Sequence, residues 1–114
     1  MNVTKPEILG KELKIMASAG FNEKYGGMEA HLYIALALAV LKKHPVDMLV
    51  FEETGGIQQI RSAGYFLDGR ENNNYPDETS VLWSDKSLPT DKFWLKIDDY
   101  GDHFVGTFLF PSEY

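Results

Sequence analysis

The sequence predicts an α+β domain, with two N-terminal helices packed on one face of a C-terminal, mainly antiparallel sheet of about five strands. Three observations point there. Apolar residues recur at helical spacing before Pro45; after it they come in short bursts separated by turn residues; and the two kinds of segment are segregated rather than alternating. With 114 residues there is room for one hydrophobic core, and without repeat, low-complexity tract or linker residues 1–114 read as a single domain.

Thr4 followed three residues later by Glu7 reads as a capping box, and Pro6 is tolerated in a first helical turn where its missing N–H would be unbonded anyway. Leu9, Leu13 and Met16 then fall on one helical face, with Ile8 and Ile15 beside it. This first helix is expected to end near Gly20. Gly20 to Gly27 (GFNEKYGG) reads as an interhelical loop. It is not a phosphate cradle, because Gly26-Gly27-Met28-Glu29 sets a carboxylate where the anion would sit and lacks the Gly-Lys-Ser/Thr ending.

A second helix runs from Met28 to about Lys43. Leucine and alanine favour it, and Leu32 to Leu41 is apolar nearly all round, so it is expected to be the buried central helix. Lys42, Lys43 and His44 suit the negative end of its dipole, and Pro45 stops it.

Met48 to Glu52 is apolar on both alternating faces, as in a central strand, and Thr54-Gly55-Gly56 turns the chain into a partner strand from Ile57 to Arg61. Tyr65 to Leu67 resumes that strand after a bulge at Gly64. Asp68 to Ser80 forms a polar loop, Val81 to Trp83 a short strand, and Phe93 to Ile97 with Phe104 to Leu109 the clearest hairpin, turning at Asp98 to Asp102. Both faces of the last strand are apolar. Two helices leave part of such a sheet bare, so the sheet curls, or a partner or a second copy of the chain covers it.

Composition narrows the function. Apolar and charged contents of 44% and 25% are ordinary for a packed globular chain and argue against disorder. The absence of cysteine removes disulfides, thiolate metal sites and a cysteine nucleophile. The longest apolar run spans ten residues, about half of the roughly 20 a bilayer crossing needs, and no basic leader precedes it. A cytoplasmic location and no membrane partner are expected. The net charge of −6 is uneven: Met1 to Pro45 carries six cations against four carboxylates, and Val46 to Tyr114 five cations against thirteen carboxylates. Such an acidic surface repels phosphate backbones, so direct nucleic-acid binding is not expected, while a basic protein is attracted.

No catalytic pattern accompanies this charge. There is no nucleophile elbow or HExxH, and Glu52 and Glu53 point to opposite faces of a strand, where one of them can bridge to Arg61. His31 reads as a core or boundary histidine. His103 with Asp98, Asp99 and Asp102 lacks the alternating Asp/Asn and distal Glu of a calcium loop and reads as solvated turn. Neither metal nor cofactor is expected, and the chain reads as a non-enzyme. What stands out is acidic and aromatic character in two segments: Asp68, Glu71, Tyr75, Asp77 and Glu78 in the polar loop, and Asp98, Asp99, Tyr100 and Asp102 at the hairpin tip. Carboxylates steer a basic partner and rings supply contact area. The leading expectation is a small acidic inhibitor, such as the immunity protein of a toxin or a phage-borne inhibitor of a nucleic-acid-handling enzyme. The alternative is an enzyme or ligand-binding domain with a pocket between buried helix and sheet, lined by His31, Tyr33, Glu52 and Arg61.

Overall fold

The computed structural model describes residues 6–71, 80–85 and 92–113. The class is α+β: two helices and a seven-stranded mixed sheet. The elements run β1 (Glu7–Ile8), β2 (Lys11–Ala17), α1 (Ala19–Tyr25), α2 (Met28–Lys43), β3 (Val46–Thr54), β4 (Ile57–Phe66), β5 (Val81–Asp85), β6 (Phe93–Asp99) and β7 (His103–Leu109), and a 3-10 turn, Pro111–Glu113, follows. Across the sheet their order is β1-β2-β7-β6-β3-β4-β5.

The N-terminal helix expected up to Gly20 is instead the β1–β2 hairpin. Leu9 and Gly10 both take positive φ, 54° and 77°, which no helix accommodates and which a two-residue hairpin turn requires. The same residues that fit a helical face also alternate: Leu13, Ile15 and Ala17 turn inward beside Phe104, Gly106 and Phe108 of β7. That pairing is parallel, so the sheet is not wholly antiparallel, and the helices fall between β2 and β3 rather than at the N-terminus. The expected loop from Gly20 is α1. Its cap is Ser18, whose side chain accepts a hydrogen bond from the Phe21 N–H.

Glu113 completes that cap from the other end of the chain. The Ser18 hydroxyl donates to its carboxylate at 2.7 Å, and the Gly20 and Phe110 N–H groups donate at 3.3 and 2.9 Å. These backbone and hydroxyl donors hold the Glu113 carboxyl below its ordinary value.

α2 has the expected bounds, but it is not buried all round. Tyr33, Ala37, Val40 and Leu41 enter the core, whereas His31, Leu32, Ala35 and Ala39 face outward. Both helices cover the face carrying Leu49, Phe51, Ile60, Phe93, Leu95, Phe104 and Phe108. Phe21 is the hub, stacked on Phe108 at 4.9 Å and edge-on to Phe93 at 5.0 Å. On the other face Val50, Ala63 and Leu109 are also buried, and Trp94 and Arg61 flank Val50 in register. The long stem of Arg61 and the indole of Trp94 thus give that face apolar cover of its own.

The Gly55-Gly56 turn and the irregularity at Gly64 stand where the residues suggested. Val46 and Met48 pair with Phe66 and Ala63, so β4 carries one residue more than β3 across the interval. Gly64 has φ 73°, and the Tyr65 N–H donates to the Asp47 carboxylate at 2.9 Å.

Candidate functional site

Strand directions decide which loops share an end of the sheet. β6 finishes where β3 begins, because the two are antiparallel with Met48 opposite Lys96; β4 finishes there as well, with Phe66 opposite Val46. The β6–β7 tip and the segment after β4 are therefore at one end of the sheet. Only β3 separates β6 from β4, a lateral offset of about 10 Å at the usual strand spacing. The β1–β2 turn joins them, since β2 begins beside His103 of β7.

At the tip, Asp99 accepts hydrogen bonds from the Gly101 N–H at 2.8 Å and the Lys11 ammonium at 3.1 Å, which lower its pKa in that order. The i to i+2 bond is an Asx turn, so Asp99 shapes the tip as well as charging it. Asp102 lies 2.6 Å from Nδ1 of His103, and its pKa is lowered chiefly by that hydrogen bond. Its side chain is 88% exposed. Tyr100, 63% exposed, stacks on the His103 ring with 9° between the planes. Asp98 is half-exposed and 3.9 Å from Lys96.

After β4 the same chemistry recurs. Asp68 accepts from the Arg70 N–H at 3.1 Å and from its guanidinium at 2.8 Å, and the backbone donor is the main reason its pKa is lowered. Glu71 is exposed and bridges back to Tyr65, itself 57% exposed. Tyr75, Asp77 and Glu78 lie outside the described residues. Of the expected interface set, Asp68, Glu71, Asp98, Asp99, Tyr100 and Asp102 thus share one end of the molecule.

Two residues that sequence reasoning passed over belong with them. Leu9, Tyr65 and Tyr100 are three of the five large apolar residues exposed among the described residues, and all three stand at this end. The signals were present in part: Gly10 interrupts the supposed helix, and the bulge at Gly64 is what turns Tyr65 outward.

The residues of the alternative pocket do not converge. Tyr33 is buried among Tyr25, Phe51 and Phe93, and His31 is exposed rather than a core or boundary residue. Glu52 and Arg61 lie on the sheet face away from the helices, joined at 2.8 Å as the expected cross-strand bridge. Arg61 also donates to Ser80 and Gln59 at 3.1 and 3.0 Å. Among the described residues no three histidine or acidic side chains form a group able to hold a metal ion, and no helix is long and apolar enough to cross a membrane. Comparison with protein-family models, with curated proteins and with solved structures finds no match.

Proposed function

We propose that this protein is a small acidic inhibitor that occludes a basic surface of another protein, in the manner of an immunity protein on its toxin or a phage-borne inhibitor on a nucleic-acid-handling enzyme. The reading rests on one observation: acidic segments some thirty residues apart in the chain meet at one end of the sheet with Leu9, Tyr65 and Tyr100 exposed beside them. Asp47, Asp68, Glu71, Asp98, Asp99 and Asp102 gather there, with Lys11, Lys14, Arg70 and Lys96 among them and Lys42 and Lys43 at the end of α2 that leads into β3. Carboxylates around exposed apolar groups are the usual division of labour at an interface, charge steering the approach and rings filling the centre.

Leu9 adds support from strain. A leucine held at φ 54° is unfavourable by about 1–2 kcal/mol relative to a residue suited to that region, and here its side chain is more than half exposed. The hairpin turn sets that φ and burial does not offset it, which supports a leucine kept there for display.

The test is co-purification from the native host with the tagged wild-type chain beside an Asp98→Lys/Asp102→Lys variant. A basic protein retained by the wild type and lost by the variant is the expected result. Equal retention by both, or retention of acidic proteins alone, would remove this end of the sheet from the interface.

A further inference from the structure

The two edges of the sheet are finished differently. At one, β5 carries an extra residue between the partners of Ile60 and Arg61, a bulge of the kind that turns an edge away from further pairing. At the other, β1 is two residues long and lies only along the start of β2, with Glu7 opposite Glu12 and Ile8 opposite Lys11. Among the described residues the rest of β2 is an open edge.

Which backbone groups that edge offers follows from the ladder on its other side. The Ser18 N–H donates to the Phe108 carbonyl of β7 at 2.8 Å, so in this parallel pair residues 14, 16 and 18 turn their backbone groups toward β7. Residues 13, 15 and 17 turn theirs outward. The Leu13 N–H shows the alternation, donating to the Pro6 carbonyl on the β1 side at 2.8 Å. Ile15 and Ala17 each present an outward N–H and an outward C=O, for which the described residues supply no partner. Between them Met16 is 58% exposed, on the sheet face away from the helices.

This run is complementary to itself. With two β2 strands antiparallel about a twofold axis at Met16, Ile15 of each copy stands opposite Ala17 of the other, and such a pair exchanges two hydrogen bonds, so every outward group of both residues is met. Met16 meets its own copy at the axis in a non-hydrogen-bonded pair, where side chains approach closest, and Lys14 faces Ser18 rather than another charge. Because the copies run in opposite directions, their acidic sheet ends point apart, which keeps the largest groups of like charge distant.

We propose that β2 pairs with β2 of a second copy of this chain, joining two seven-stranded sheets into one across a twofold axis at Met16. Pairing stops at Ser18, where each chain leaves the sheet into α1, so the interface falls in the small class below about 1,200 Å². The dimer is accordingly weak and concentration-dependent. It leaves both acidic ends open.

Sedimentation of the full-length chain over a concentration series up to about 1 mM should show a monomer giving way to a dimer. Amide exchange locates the contact: Leu13 should be protected at every concentration, whereas Ile15 and Ala17 should gain protection, by about tenfold or more, only as the dimer fills. Met16→Lys, which sets like charges across the axis at an exposed position, should stay monomeric with its circular dichroism unchanged. The chain has no cysteine, so Met16→Cys tests the geometry: oxidation should cross-link it as a dimer about tenfold or more faster than Leu32→Cys, exposed on α2. A monomer throughout the series, a dimer that Met16→Lys leaves intact, equal cross-linking of the two cysteine variants, or protection of Ile15 and Ala17 already in the dilute monomer would overturn the proposal.

Discussion

The aspartates at the acidic end do unequal jobs. Asp99 and Asp68 each accept a backbone N–H two residues on, so they build their turns; Asp102 has His103 as its main partner and projects into solvent. Asp99→Ala should therefore lower the melting temperature more than Asp102→Lys does, because only the first removes a bond that builds the turn; calorimetry on the two variants checks this. Acid should act through the same groups. Asp68, Asp99, Asp102 and Glu113 all have folded-state pKa values below their ordinary ones, so the unfolded chain takes up protons first. Their contribution is complete above the unfolded values near 4 and is lost as pH falls through that range toward the lowered folded values. Melting temperature followed from pH 6 downward should begin its fall there, and a flat profile across that range would contradict the assignment.

Two turns offer opposite experiments on the elements they connect. Asparagine tolerates the left-handed region better than leucine, and Asn-Gly is the preferred two-residue hairpin turn, so Leu9→Asn should stabilise the β1–β2 hairpin by about 0.5–1 kcal/mol. If Leu9 is kept for binding, the same variant should weaken partner capture. Gly64→Ala should destabilise by about 1–3 kcal/mol, since its φ of 73° disfavours a side chain and a Cβ would overlap the Asp47 carboxylate. The loss should be smaller in an Asp47→Ala background, where the overlap is gone and only backbone strain remains. Denaturant melts of the four-member cycle measure this coupling. The β3–β4 pair was legible because Gly55-Gly56 and Gly64 each mark a break in an alternating pattern. The β1–β2 pair was not, because Leu9, Leu13 and Met16 satisfy a helical period while Leu13, Ile15 and Ala17 satisfy a strand period over the same few residues.

For the molecule as a whole, the aromatic core sets the stability and the charge distribution sets the kinetics. Phe93→Ala, removing a fully buried ring that packs on Phe21, Tyr33 and Phe51, should cost about 3–5 kcal/mol, a large part of the roughly 5–15 kcal/mol a domain of this kind commands. With the partner in hand, association should slow as salt rises, and Asp98→Lys/Asp102→Lys should reduce the on-rate by about tenfold or more at low salt, read by stopped flow. Composition and local pattern were enough for the α+β class, the bounds of α2, two hairpins and the acidic aromatic character of their flanks, because each is set by residues near one another in the chain. The parallel seating of β2 on β7, the clasp of Glu113 on Ser18 and Gly20, and the meeting of Asp68 with Asp102 at one end of the sheet join residues 34 to 95 positions apart. Local propensity is silent about such pairs. They form because Phe104 and Phe108 need cover, a short helix needs its N–H groups met, and the register of β3 with both neighbours leaves the two acidic segments side by side.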